Sequence, residues 1–229
     1  VDRCVGGKVA KQQCVGELQL PLNNCGVMAL DFSTRHGVAT SIGHSSISAL
    51  IDPESGSKNS IAEALTNIIW APIENNLKGV SLSANWMWPC RNYGEDARLY
   101  KAVDSLSKFA IELGINIPTG KDSLSMNQKY EDIEVKSPGT VIISATAHCS
   151  DIYNIIEPPL KANKGSVFYI NLSSDDYKLG GSAFSQIIGN IGVDTPTIND
   201  SKYFLNVFDT IQKMIKKKLI ISGHDVGSG

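Results

Sequence analysis

Residues 25–42 read CGVMALDFSTRHGVATSI. They form two short apolar or alternating runs, 25–32 and 37–42, parted by Ser33-Thr34-Arg35-His36 as the strands of a hairpin would be. Upstream, residues 1–23 read as irregular, with Gly6, Gly7, Gly16 and Pro21 interrupting short polar runs. Downstream, Ile51-Asp52-Pro53-Glu54-Ser55-Gly56 reads as a breaker cluster. A helix is expected next. Ser60-Ile61-Ala62-Glu63 has the form of a capping box, and Ile61, Ala64, Leu65, Ile68 and Ile69 recur at helical spacing until Pro72.

Residues 80–86 (VSLSANW) alternate as a strand does. Residues 94–114 read as a second helix: Glu95 and Asp96 favour its positive end, Leu99, Val103, Leu106 and Ala110 form a stripe, and Gly114 stops it. Strands are expected at 123–130 and 140–148. The order β-β-α-β-α-β-β implies an α+β domain over residues 1–157, a mainly antiparallel sheet with helices on one face.

After Pro158-Pro159 a second unit is expected, 158–229. It has a buried strand at 166–172 (SVFYINL), helices at 182–189 and 202–218, and a strand at 219–221. Such a unit is too small to complete a core. Together with a chain running from Val1 to Gly227-Ser228-Gly229, it reads as the truncated start of a second α/β domain.

Composition narrows the function classes. Among 229 residues, 42% are hydrophobic and the net charge is −2, so the basic footprint of nucleic-acid binding is missing. The longest uncharged apolar stretches fall far short of the roughly 20 residues a membrane span needs, so neither nucleic acid nor membrane is expected as a partner. Lys213, Lys216, Lys217 and Lys218 read as the solvated end of a helix. Five scattered cysteines with no CxxC pair argue against a disulfide framework and against structural zinc, and point to a cytoplasmic setting.

Three places can carry chemistry. Glu63 and Asn67 lie four apart on the expected helix, so a carboxylate and an amide carbonyl project from one face. That pair suits a hard cation such as Mg²⁺; equally, Glu63 closes the capping box and Asn67 is an ordinary polar face residue. His224-Asp225-Val226-Gly227-Ser228-Gly229 follows the apolar 219–221. A strand leading into a glycine-rich turn offers N–H groups to phosphate with an acid alongside for metal, although most such turns are only turns. Pro118-Thr119-Gly120-Lys121-Asp122-Ser123 reads as a tight turn that grips phosphate through Lys121, or as a plain charged turn. Trp86, Trp88 and Pro89 beside Arg91 and Gly94 suggest an aromatic loop packed on another domain. No Gly-x-Ser-x-Gly or Gly-x-Cys-x-Gly elbow occurs, His36, His44, His148 and His224 lack an obvious partner, and no catalytic residue is assigned.

Taken together, seven collinear blocks resemble one family: Asp2-Arg3-Cys4-Val5-Gly6-Gly7; Leu20-Pro21-Leu22-Asn23-Asn24-Cys25; Ala62-Glu63-Ala64-Leu65-Thr66-Asn67; Leu82-Ser83-Ala84-Asn85-Trp86-Met87; Gly94-Glu95-Asp96-Ala97; Pro118-Thr119-Gly120-Lys121-Asp122-Ser123-Leu124-Ser125-Met126; and Leu179-Gly180-Gly181-Ser182. It is the large, single-chain phosphoribosylformylglycinamidine synthase, or formylglycinamide ribonucleotide amidotransferase, of purine biosynthesis. The resemblance implies the fold of an aminoimidazole-ribonucleotide-synthetase N-terminal domain, here from the second of two such modules. It also implies a parent enzyme converting ATP, glutamine and formylglycinamide ribonucleotide to the amidine, ADP, phosphate and glutamate, by way of an iminophosphate and ammonia from a separate glutaminase. The other modules and the glutaminase would be partners within the parent, and the isolated piece would be inactive and prone to self-association.

By the same resemblance, this stretch carries an auxiliary site for ATP or ADP and Mg²⁺, with Asn24, Glu63, Asn67 and Asp225 on the metal and Gly227 on the nucleotide. Lys121, Asp122 and Ser123 are further cofactor-binding candidates at one of the parent's two nucleotide sites. Two departures stand out: Asn24 replaces an Asp, and Val226-Gly227-Ser228-Gly229 puts backbone where a Ser contact is expected. Two other readings compete. One is a non-catalytic module whose nucleotide is structural; the other is a sibling kinase of the thiamine-monophosphate type, whose acid-rich N-terminal clusters this chain lacks.

Overall fold

The computed structural model describes residues 6–173 and 177–228. Asp2, Arg3, Cys4, Val5 and Gly229, which carry parts of the motifs above, lie outside the described residues. Strands β1 (Val9–Lys11), β2 (Cys25–Ala29) and β3 (Gly37–His44) come first, followed by helices α1 (Ser46–Ile51) and α2 (Pro53–Ile68). Then follow β4 (Val80–Met87), α3 (Glu95–Leu113), β5 (Asn116–Ser123), β6 (Asn127–Tyr130), β7 (Ile133–Lys136) and β8 (Thr140–Cys149). Helices α4 (Ala183–Ile187) and α5 (Ser201–Lys216) complete the described elements.

Six strands form one sheet in the order β1-β2-β3-β8-β4-β5. Every pairing is antiparallel except β4–β5, the parallel pair joined through α3. β6 and β7 make a separate hairpin; β7 was not expected. One sheet face is apolar, with Val27, Ala39, Leu82, Ala84, Ile143 and Ala145 buried beneath Ile61, Leu65 and Ile68 of α2 and Phe109 of α3. The alternate positions, among them Met28, Thr40, Ile42 and Thr146, face outward. The expected α+β architecture with helices on one face is what the chain adopts.

Four local expectations need correction. The breaker cluster starts α2: Asp52 caps it by accepting from Glu54 N and Ser55 N, and Pro53 fills the first turn, where its missing N–H costs nothing. Ser60 is therefore mid-helix, its hydroxyl donating to Gly56 O at 3.0 Å, and no capping box forms. Residues 118–123 are not a turn but most of β5. An edge strand tolerates Pro118 and the charged pair because one of its rims bonds to nothing. Residues 166–172 and 219–221 form no strand; Val167 and Phe168 are each 82% exposed. The stripe on α3 is rotated: Leu106 and Ala110 are buried with Ala102, Phe109 and Leu113, whereas Val103 is exposed.

Helix α5 does not stand apart. Phe204, Phe208, Ile211 and Ile215 join the same core as the sheet, with Phe204 edge-on to Phe109 at 5.9 Å. Gln212, fully buried, bonds through Nε2 to Ile69 O (2.6 Å) and Ala71 O (3.0 Å), and accepts from Ile73 N (2.7 Å). One side chain thus satisfies three backbone groups freed where α2 ends.

Candidate functional site

The site grows from one close approach. A Cβ at Gly43 would lie 2.2 Å from Ala64 N and Ser60 O, so α2 packs this tightly on β3 because residue 43 is glycine. Ser41 Oγ donates to Ala64 O (2.6 Å), His44 N to Glu63 Oε2 (2.8 Å) and Asn67 Nδ2 to Ile42 O (2.8 Å). Glu63 and Asn67 are thereby fixed at the end of β3. Glu63 leaves Oε1 free of that contact, and Asn67 leaves Oδ1 buried with no partner. An unpartnered buried carbonyl oxygen costs about 1–3 kcal/mol unless a hydrogen-bond donor or a cation meets it.

Two other segments reach this point. Asn23 bonds to Gln12 O through Nδ2 (2.7 Å) and to Gln13 O through its backbone N–H (3.1 Å), which sets Asn24 at the start of β2. The C-terminal segment passes Trp70 so closely that a Cβ at Gly223 would meet the ring at 2.0 Å; Gly223 N then donates to Glu157 O (3.2 Å). Two residues on, the Asp225 carboxylate is 4% exposed. Asn24 Nδ2 sits 3.2 Å from both of its oxygens, and His224 Nδ1 is 3.1 Å from Oδ1. Gly227 follows, placed so that an added Cβ would lie 3.7 Å from Glu63 Oε1.

Electrostatics favour a cation here. Burial pushes the Glu63 carboxyl above its usual range, the His44 N–H opposes that, and the Asp225 carboxylate adds to it. Two carboxylates within electrostatic reach of each other, one of them on the same helix face as an unpartnered amide oxygen, are a hard, oxygen-only donor set of the kind Mg²⁺ takes, so the residues present fit that ion. Among the described residues, no three His, Cys, Asp or Glu side chains gather closely enough to hold a metal on their own, so the Asn67 amide would have to join the two carboxylates. Behind the cluster lies Lys11, 4% exposed, with Nζ donating to Ile156 O at 2.6 Å. Its ammonium interacts with Cys25, Glu157 and Asp225, and burial lowers its pKa. Burial also pushes the Cys25 thiol up to about 11, with Lys11 opposing.

The sequence candidates therefore divide. Asn24, Glu63, Asn67, Asp225 and Gly227 come together from both ends of the chain. Lys121, Asp122 and Ser123 do not join them. The cross-sheet row His44–Ile142–Asn85–Lys121 separates them by three strand spacings, about 14 Å. Lys121 bonds to Ser123, and their alternation puts both on the outward face with Asn85 and Met87, while Asp122 pairs with Trp86. Asp122 and Trp86 line a groove of about 440 Å³ with Leu99, Val103 and Ile117, along α3 and β5. Trp88 is core, 1% exposed, against Gly139. Sequence reasoning missed Gly43, His44 and Lys11. Gly43 and His44 act through backbone, and nothing local marks Lys11 as buried.

The geometry defines a one-faced α+β domain with an acidic oxygen-donor site where its longest strand–helix contact meets the C-terminal segment. Residues 1–148 match the family described as the FGAR-AT PurM_N-like domain, and the chain belongs to that family. Over its whole length it is 42% identical to the probable phosphoribosylformylglycinamidine synthase, chloroplastic/mitochondrial, of Arabidopsis thaliana and 38% identical to the human phosphoribosylformylglycinamidine synthase. It spans 16% and 17% of those relatives. In fold it is similar to the Thermotoga maritima PurL complexed with FGAR, at TM-score 0.62 and 12% identity, covering 89% of this chain and 31% of that one. The PurLQS structure of the same organism aligns at TM-score 0.52 and 13% identity, over 66% and 23% of the two chains. Among the described residues, no helix is long and apolar enough to cross a membrane.

Proposed function

We propose that this chain is a nucleotide-holding domain of a phosphoribosylformylglycinamidine synthase, taken from the second of its two synthetase-like modules. The observation that carries this reading is the meeting of Glu63, Asn67 and Asp225, with Asn67 Oδ1 buried and unpartnered. These three would hold Mg²⁺, with Asn24 beside Asp225 and the Gly227 backbone against the phosphates of ADP or ATP. Bound there, the ion would neutralise phosphate charge. The chain's own contribution is positional: Gly43 sets the distance between α2 and β3, the His44 N–H aims the Glu63 carboxylate, and Asn24 aims Asp225.

In the parent enzyme the reaction would consume ATP, glutamine and formylglycinamide ribonucleotide and yield the amidine, ADP, phosphate and glutamate. The glutaminase and the other modules would be partners in the same chain. The site on this piece would be auxiliary, and the piece alone would be inactive. Residues 158–229 would open the companion domain, and Lys121, Asp122 and Ser123 would serve the other nucleotide site, from which their separation across the sheet follows. A cytoplasmic, reducing setting suits the free Cys14, Cys25, Cys90 and Cys149, although one relative's name places it in organelles.

Thermal denaturation tests the site. MgADP is expected to raise the melting temperature of the wild type by several degrees, by mass action on the folded state. Glu63→Ala should remove that shift. A shift of equal size in the variant would mean that Glu63 holds no metal.

A further inference from the structure

We infer that this site takes a divalent cation only together with a polyphosphate, because Asn24 already holds both Asp225 oxygens, and Lys11 adds a buried positive charge, when no cation is there. The inference rests on the nucleotide reading above. The Asp225 side chain is almost fully buried, yet both of its oxygens face the Asn24 amide at 3.2 Å, and the buried Lys11 ammonium adds a positive charge to the same region while donating to Ile156 O. The ammonium cannot withdraw. Lys11 pairs with Val27 in the sheet, and Nζ is committed to Ile156 O.

The charges facing the cluster can be counted. Glu63 is negative and half-buried, the Asp225 carboxylate is negative and buried, Lys11 is positive and buried, and Asn24 and Asn67 are neutral. Glu157 is exposed, so water screens its charge, and His44 and His224 stand at the solvent edge. A free divalent ion would therefore meet one net negative charge. It would also have to displace the Asn24 donor from Asp225 and approach a poorly screened ammonium. A diphosphate reverses the balance, because its oxygens fill coordination positions that three side-chain donors leave open and answer the Lys11 charge.

Lys11 also holds the site's geometry. Its bond to Ile156 O ties β1 to the segment whose next carbonyl, Glu157 O, receives Gly223 N. The stretch just after it, Gln12 and Gln13, holds Asn23. Lys11 is thus a specificity-determining and positioning residue, linking the two strands of chain that carry Asn24 and Asp225.

Isothermal titration with MnCl₂ alone, ADP alone and preformed Mn–ADP tests this on the wild type, Asn24→Asp and Lys11→Met. The wild type should bind Mn–ADP at least about tenfold more tightly than Mn²⁺ alone. Asn24→Asp, which adds a third carboxylate, should tighten free Mn²⁺ about tenfold or more, and Lys11→Met severalfold, so the gap to Mn–ADP narrows in both. Equal affinity of the wild type for Mn²⁺ with and without ADP overturns the inference and leaves the site standing. So does free-Mn²⁺ binding that neither variant alters. Failure of every protein to bind Mn–ADP overturns the nucleotide reading, and the inference with it. Asn24→Asp is partly solvent-facing, so it keeps the test decisive if Lys11→Met melts early.

Discussion

At the scale of single residues, Glu63 shows the cost that the proposed site would place on the fold before any ligand binds. Its carboxylate is buried near Asp225 and compensated by one backbone N–H. Glu63→Gln keeps an acceptor for His44 N and removes the charge. It should raise the melting temperature without cation and abolish the MgADP-induced shift, both read in the same thermal scan. Asp31 behaves in the opposite way. It caps the β2–β3 turn by accepting from Ser33 N (2.8 Å) and Thr34 N (2.6 Å), and these bonds hold its carboxyl down at about 2. A depressed carboxyl adds stability above its unfolded value near 4, and that stability is lost as pH falls through about 2. Asp31→Ala should therefore lower the melting temperature at pH 7, by less near pH 2, and hardly at all below it.

Spacing made the Glu63–Asn67 pair readable from sequence, since residues four apart on a helix share a face. Spacing could not supply the partner; only the family resemblance grouped Asp225 and Asn24 with the pair. Asp225 lies 201 residues from Asn24, and only the folded chain brings their side chains into contact. Lys11 was invisible for a related reason: it lies in a stretch read as irregular, which the structure makes β1, and its burial comes from the distant segment around Ile156.

At the scale of elements, the α2–β3 contact decides the site, and Gly43 decides the contact. Gly43→Ala would force α2 off β3, because the added methyl would meet backbone rather than a movable side chain. The expected outcome is loss of MgADP binding with a fall in stability of about 1–3 kcal/mol, measured by titration and denaturant unfolding. Helix α5 gives a second case. Truncating Phe208, 1% exposed in the shared core, should cost about 3–5 kcal/mol. If α5 instead belonged to an independent unit, denaturation of Phe208→Ala would leave the sheet's transition unmoved.

The elements misread from sequence share a cause. Asp52-Pro53 breaks a chain that is arriving and starts a helix that is leaving, and composition alone does not say which. Residues 118–123 have turn chemistry, yet α3 delivers them alongside β4, and an edge position accommodates them. The apolar 166–172 has the composition of a buried strand, but no described strand pairs with it. The hairpin, β4, α3 and β8 were legible because each carries its own periodicity, even where, as for β8 between β3 and β4, its sheet partners are distant in sequence.

For the molecule as a whole, the sheet has one covered face and one open face. The open face carries Ile42 (56% exposed) and Met28 (52% exposed) among hydroxyl-bearing neighbours, and the segment from 160 to 193 exposes Val167, Phe168 and Ile187. We expect the isolated chain to self-associate through such apolar surface. Sedimentation should give a mass above that of the 229-residue chain, and Ile42→Glu should lower it if the sheet face is responsible. An unchanged mass would assign association to the 160–193 segment.

The central claim is that one divalent ion, together with a nucleotide, sits among Glu63, Asn67 and Asp225. Crystals grown with Mn²⁺ and ADP test it most directly by anomalous scattering. The account predicts a peak within about 2.0–2.4 Å of oxygens from those three side chains, with ADP phosphate oxygens completing its shell beside Gly227. Bound ADP whose metal lies elsewhere, or an Asn67 amide still without a partner beside bound nucleotide, would contradict it.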